Sequence, residues 1–564
     1  MYKKIHLNQC GYLPYSEKKA TFRTDSAPMF NVCKSDGTAV LSGTADVSVS
    51  NKASGETVFV VDFSSVTEPG RYYISSDTCG ESDTFEICEN RYGDLFDASV
   101  RFFYLQRCGC DLKPEYAGLY AHPACHTGIG SVKPFVMPKL PPFVQNGKDF
   151  TYTPAFENDT AYDNTTLEVS GGWHDAGDYG RYISPAAMTV AQLLLAYEYN
   201  PKLCNSYHLD RSGSVSENGA LPDYLAEVKY ELDWMLKLQR PDGAVYHKAT
   251  CGSFCGFILP QEEKEEIFLS PVSLTATADF AAVTAMAVRF YAPYDSAYAK
   301  KLGDAARLAY ESSQKMNPAS SFINPAGINT GWYSDRNNED ERYWAAAELY
   351  RAFGDASYHE DFQALASRGI LHGYGWTDMG SYGNLAYLAT EYPTESVLKD
   401  KIKASMLSLA DAKKAVCLAE GYGCSLQVDE YVWGSNLAVS NNGIILYDAY
   451  RMTGDSSYLH AAEAQLSYLL GRNPMDVCYV TGFGTNPVKH PHHRPSGFLG
   501  KAAPGMLSGG PCRWRSDPLA KSLLPEDIAP AKAFVDMTGS FSTNEIAIYW
   551  NSAFVLLLAL CCRE

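Results

Sequence analysis

Long apolar runs are missing from this 564-residue chain: no stretch approaches the roughly 18 residues that a membrane-spanning helix needs. The N-terminus, MYKKIHLNQCGYLP, lacks the apolar block of a secretion signal. The run AFVLLLALCC (553–562) is too short to span and closes a helical pattern, so it reads as a core helix. Positive charge is also scarce. Lys and Arg total 47 against 65 Asp and Glu, a net charge of −18, which disfavours nucleic acid and anionic membranes as partners. No self-similarity at a fixed period is visible, which argues against a solenoid. The 16 cysteines lack the tight, regular spacing of a disulfide scaffold. Mostly reduced thiols and a metal site are expected, in a cytoplasmic protein, or a secreted one had a signal been trimmed.

What is present is an ordinary globular composition, 46% hydrophobic and 20% charged, in a chain too long for one core. Residues 1–88 read as all-β. KKIHL, KATFR, ETVFVVDF, RYYISS and DTFEIC are rich in β-branched and aromatic residues and are punctuated by Gly, Pro, Ser and Asp. Their spacing fits a small β-sandwich. After ENRYG the period changes to that of helices. Residues 89–564 carry roughly a dozen helical patterns, several apolar on more than one face, as for the inner helices of a two-layer helical barrel. Long Gly/Pro/aromatic loops at 111–172, 251–268, 317–340 and 473–511 are where function is expected.

Four constellations carry chemistry. In GGWHDAGDYGRY (171–182), glycines allow tight turns and put Asp175 and Asp178 three residues apart. Two carboxylates on one turn can hold and deprotonate a water; an Asp-rich capping turn is the plainer reading. In GSFSTNEIAIYWN (539–551), Glu545 follows good N-cap residues and precedes an apolar helix. It is either a general acid or a first-turn residue favoured by the helix dipole. In GFGTNPVKHPHHRPS (482–496), His490, His492, His493 and Arg494 form either a donor-rich rim or a solvated or metal-binding loop. Finally Cys108, Cys125, His126 and His174 could close a tetrahedral zinc site, or be buried thiols and core histidines.

Taken in order, these segments resemble glycoside hydrolase family 9, in the subgroup with an N-terminal immunoglobulin-like domain. The resemblance runs through IHLNQCGYLP (5–14), FFYLQRCG (102–109), GGWHDAGDYGRY, DERYWAAAELYRAFGD (340–355), YVWGSNLAVSNN (431–442), YLLGRNPM (468–475), YVTGFG (479–484), HPHHRPS (490–496), GMLSGGP (505–511) and STNEIAIYWN (542–551). It implies a mainly α fold, a barrel of six helical hairpins behind a small immunoglobulin-like sandwich, and hydrolysis with inversion. By similarity Asp178 is the base, Asp175 helps hold the water, and Glu545 is the acid. His492 and Arg494 match residues that bond the sugar beside the cut. Cys108, Cys125, His126 and His174 match a structural zinc set. Trp173, Tyr179, Trp332, Trp376 and Trp433 are candidates for stacking on sugar faces. Calcium is implied near Asp223, Asp340, Glu341 and Asp378. The loop before Asp223 (Glu217, Asn218, Gly219) departs from the family pattern, with Ala226 where a carboxylate is usual. Phe541 stands where the family commonly has Tyr.

The expected substrate is a β-1,4-linked glucan, either as cello-oligosaccharides or polymer. The rivals are an exo-β-glucosaminidase on chitosan oligomers and a catalytically silent carbohydrate-binding protein. A catalytic zinc hydrolase is disfavoured, because four protein ligands leave no open position. An inverting pair needs a base that stays ionised, for which Arg181 or Arg494 could supply charge.

Overall fold

Alternation fixes the N-terminal strands. In Gly70–Ser76, Tyr72 and Ile74 point inward and are fully buried, while Arg71 is exposed and Tyr73, between them, is half-buried. The computed structural model describes residues 4–131, 143–145, 148–150, 153–157, 159, 165–210, 220–335 and 337–562. Nine strands make the sandwich: β1 (Ile5–His6), β2 (Lys19–Phe22), β3 (Met29–Lys34), β4 (Ala39–Thr44), β5 (Ser48–Asn51), β6 (Glu56–Asp62), β7 (Gly70–Ser76), β8 (Gly80–Glu81) and β9 (Phe85–Ile87). One antiparallel sheet runs β1-β2-β6-β5; the other runs β4-β3-β7-β8, with β9 also on β7. Their inner faces share a core of Ile5, Tyr12, Phe22, Val32, Phe63, Tyr72, Ile74 and Phe85.

By packing, the chain divides into two units: residues 1–102, 199–207 and 406–564, and residues 103–198 and 208–405. The sandwich shares its unit with C-terminal helices. Within that unit Gln9 Oε1 accepts from Thr485 and Asn486 backbone N–H groups. Thr21 Oγ1 donates to the Gly421 carbonyl at 2.9 Å, and Lys532 pairs with Glu56 at 2.8 Å. The helix Ser435–Thr453 lies against Ser456–Leu469 and against the wholly buried Ile548–Cys561, which contains the late apolar run. No described helix is long and apolar enough to cross a membrane.

The other unit repeats the hairpin logic. Leu274–Tyr291 is buried on nearly every face, and its partner Ser296–Ser313 buries only one. Ser273 caps the first by accepting from Ala276 N–H, and Asp295 caps the second by accepting from Tyr298 N–H. Glu339–Phe353 pairs likewise with Ala356–Ala366. Seven further strands are short: β10 (Ile129–Ser131), β11 (Phe143–Gln145), β12 (Lys148–Phe150), β13 (Thr166–Glu168), β14 (Arg181–Tyr182), β15 (Lys248–Thr250) and β16 (Phe268–Leu269). Five of them form a sheet in the order β13-β10-β16-β15-β14, which receives the chain directly after the GGWHDAGDYG turn.

Candidate active site

The turn carrying the two aspartates closes on itself: Asp175 N–H donates to the Gly180 carbonyl at 2.9 Å. Asp178 Oδ2 accepts from Gly180 N–H at 3.0 Å and from the Tyr182 hydroxyl at 3.3 Å. A Cβ at residue 180 would lie 2.8 Å from that oxygen and 2.6 Å from the phenol, so only glycine fits. Asp175 Oδ2 accepts from the Tyr333 hydroxyl. The Tyr182 and Tyr333 rings meet edge to face at 4.7 Å. Both aspartates are buried, and each accepts from a phenol. Arg181 does not serve them. Its guanidinium donates to the Val169 and Gly171 carbonyls and lies over Trp234.

Beside the turn, ligand atoms of Cys108, Cys125, His126 and His174 all lie within 4.8 Å of one another. Cys108 N–H donates to Gly172 and His174 N–H to Gln106, each at 2.7 Å, which ties the cluster to the Asp175 turn. His126 Nε2 meets Glu263 Oε2 at 2.8 Å, while its buried Nδ1 has no hydrogen-bond partner. Two thiols, two imidazoles and an orphaned ring nitrogen fit a soft, tetrahedral ion and no catalytic opening. A second group, Asp335, Asp340 and Glu341, brings carboxylate oxygens within 4.8 Å. Neither oxygen of buried Glu341 has a hydrogen-bond partner. Burial and then the charge of Asp340 push its carboxyl well above the usual range, as burial does for nearby Asp279. Asp340 accepts from Met379 N–H at 2.7 Å and Asp335 from Asn337 N–H at 2.9 Å, so only Glu341 of the three lacks donors, and the all-oxygen set fits a hard cation. Of the other residues named for calcium, Asp378 lies exposed in the turn 373–380, outside this group. Asp223 accepts from Leu209 N–H at 3.1 Å. Residues Glu217, Asn218 and Gly219 lie outside the described residues.

In the other unit, Glu545 is not in a helix's first turn. It sits extended, φ −68° and ψ 157°, between the short helix Phe541–Asn544 and Ile548–Cys561. Its backbone bridges His492, and its carbonyl accepts from Gly509 N–H at 2.9 Å. Trp433 Nε1 donates to Glu545 Oε2 at 3.2 Å. Upstream, Asp517 Oδ2 accepts from Ser540 Oγ, Ser542 N and Ser542 Oγ, holding the turn that delivers Glu545. His492 Nδ1 faces the Thr538 carbonyl at 2.6 Å, so Nδ1 carries the proton and Nε2 is an acceptor. Burial draws its pKa down to about 4, keeping the ring neutral. Arg494 opens the helix Arg494–Leu499 two residues on.

The aromatic candidates separate. Trp332 and Trp433 are 38% and 44% exposed, and Trp376 is half-buried, edge-on to Tyr333 at 5.1 Å. Trp173 is corrected: it is fully buried, its Nε1 donates to Glu227 at 2.9 Å, and its ring packs on Phe103. Tyr179 is corrected too. Its hydroxyl donates to the Ile258 carbonyl and its ring lies against His126 and His174, so it walls the Cys/His cluster. Sequence reasoning missed Tyr333, Asp335, Glu263 and Asp517, all brought in by tertiary packing; Tyr182 ended the motif unremarked. Phe541 lies 5.2 Å from the Trp433 ring and 5.8 Å from His492, completing an aromatic wall.

Carboxylates on shaped loops, with polar and aromatic side chains around them, are the equipment that a glycoside-cleaving hydrolase uses. The model of glycosyl hydrolase family 9 matches residues 92–558, and that of the cellulase N-terminal ig-like domain matches residues 1–81. The chain is 38% identical over 565 residues to endoglucanase D of Acetivibrio thermocellus, covering 99% of this chain and 83% of that protein. It is 35% identical to a cellodextrinase of Butyrivibrio fibrisolvens, covering 99% of both. The solved structure of AaCel9A in complex with cellobiose-like isofagomine is 34% identical, covers 100% of both chains and superposes with a TM-score of 0.88. The chain belongs to glycosyl hydrolase family 9: an inverting glycoside hydrolase, mainly helical, of the α/α-barrel class with an N-terminal immunoglobulin-like domain.

Proposed function

We propose that the enzyme hydrolyses β-1,4-glucosidic bonds of cello-oligosaccharides and β-glucans, with Asp178 as base and Glu545 as acid. The observation that carries this reading is the two carboxylates held on separate loops, Asp178 with two oriented donors on one oxygen and Glu545 with one. Asp178 takes a proton from water that Asp175 helps hold. The water oxygen bonds to the anomeric carbon as the glycosidic C–O bond breaks, and Glu545 gives its proton to the departing oxygen. His492, through Nε2, accepts from a sugar hydroxyl, and Arg494 donates to one. Trp332, Trp376 and Trp433 offer faces on which pyranose rings stack. The relatives' activities and the cellobiose-like inhibitor bound by AaCel9A support a glucan substrate.

Zinc in the Cys108, Cys125, His126 and His174 set is structural and supplies no step. Calcium at Asp335, Asp340 and Glu341 would neutralise a buried negative cluster. Sixteen free thiols support work in a reducing, cytoplasmic compartment on short oligosaccharides. Turnover of cellobiose to cellohexaose, mixed-linkage glucan, chito-oligomers and chitosan oligomers tests the substrate. Release of glucose or cellobiose supports it. Turnover of chitosan oligomers alone selects a glucosaminidase, and no turnover selects a binding protein.

A further inference from the structure

Lys248 is fully buried in β15, yet its ammonium touches no carboxylate among the described residues. Its three protons go to neutral oxygens: Asn324 Oδ1 at 2.7 Å, Thr330 Oγ1 at 2.9 Å and the Gly331 carbonyl at 2.7 Å. A buried charge held only by neutral acceptors is costly and calls for a counter-charge nearby. The register supplies one. Tyr182 pairs with Lys248 across β14 and β15, so the ammonium lies 5.5 Å from the centre of the Tyr182 ring. The Tyr182 hydroxyl in turn donates to Asp178 Oδ2. The same acceptors, Asn324, Thr330 and Gly331, lead straight into Trp332 and into Tyr333, whose hydroxyl bonds Asp175.

We propose that Lys248 is a positioning residue for the base: its buried positive charge, relayed past Tyr182, holds Asp178 ionised and aimed. This rests on the reading of Asp178 as base. Burial draws the ammonium down to about 7, and the charge of Asp178 pushes it back up. The other titratable groups facing it cannot replace it. His247, its neighbour in β15, is drawn down to about 3 by burial, and Tyr182 is pushed well above its usual range by burial. Tyr333 and Asp175 complete the set, and Arg181 is spent on carbonyls on the far side of the strand.

The test is the pH profile of kcat/KM on cellotetraose. In Lys248→Met the acid limb should move up by about one pH unit, because the base loses its favourable neighbour. In Lys248→Arg the limb should stay in place even if kcat falls. A Lys248→Met enzyme that loses activity with an unmoved limb, or loses nothing, overturns the proposal; the first outcome makes Lys248 a prop for residues 324–333. Should Lys248→Met not fold, Asp178→Asn decides. Stripped of its counter-charge, the ammonium should lower the melting temperature, relative to the natural chain, more at pH 6 than at pH 9, where the buried amine is neutral. An equal loss at both pH values overturns the proposal. Asp178→Asn that still turns over cellotetraose sinks the base assignment itself. An inactive Asp178→Asn beside an unmoved limb in Lys248→Met sinks only the role of Lys248.

Discussion

The two loops proposed to carry the base and the acid are held by different mixtures of main chain and side chain. The turn 171–182 adds side chains to its backbone bonds: two tyrosines on its carboxylates, a metal-ready Cys/His cluster that includes His174, and a buried lysine on the strand paired with the one that follows. The segment 540–546 leans more on main chain. A β-bridge to His492 and the Gly509 bond hold the backbone of Glu545, and one side chain, Asp517, clasps the turn before it. A loop held by side chains can be loosened one group at a time and tuned electrostatically. A loop held by backbone resists single substitutions and keeps its acid where the fold puts it.

That contrast can be broken in order of effect. Asp178→Ala should cut kcat about 10⁴-fold or more on every substrate, because water activation is needed whatever the leaving group. Comparable loss on cellotetraose and on an aryl cellobioside is the expected kinetic result. His174→Ala should empty the Cys/His cluster of its ion and disorder the Asp175 turn. Elemental analysis should fall from about one zinc per chain to none, with activity down by about 10²-fold. Retained zinc with unchanged melting would remove the link between cluster and base. Asp517→Ala should cost about 3 kcal/mol of stability, since one oxygen satisfies three donors around Ser540 and Ser542, while KM changes little. Were it instead to abolish activity in a fully stable protein, the acid segment would depend on side chains as much as the base turn does.

Much of this was readable beforehand, and unevenly. The ordered motifs carried the family resemblance, and it is that resemblance, rather than any local mark, that implied a base, an acid and a Cys/His set, of which the structure gathers the Cys/His set. Residues whose roles come from strand pairing left no mark. Lys248 sits in VYHKAT, where alternation gives no hint that a lysine is interior. Glu263 lies in QEEKEE, a charge run that reads as a solvated face, yet it is nearly buried against His126. Trp173 and Tyr179 are sugar-platform candidates on composition and resemblance alone. Only packing shows that their rings face Glu227, Phe103 and the metal cluster. The setting of Glu545 differs from the one its sequence suggests. The sequence pattern placed it at a helix start, and the chain instead runs extended there because Gly509 and His492 capture its backbone.

The division of labour between the two carboxylates is tested most directly by Glu545→Ala on two substrates. Dinitrophenyl β-cellobioside has a leaving group that needs little proton assistance, whereas cellotetraose needs a full proton. The expected result is a loss of about 10²–10⁴-fold on cellotetraose and only a small loss on the dinitrophenyl substrate, with the α-anomer as first product by NMR in both. Equal loss on the two substrates would contradict the account and make Glu545 a structural residue.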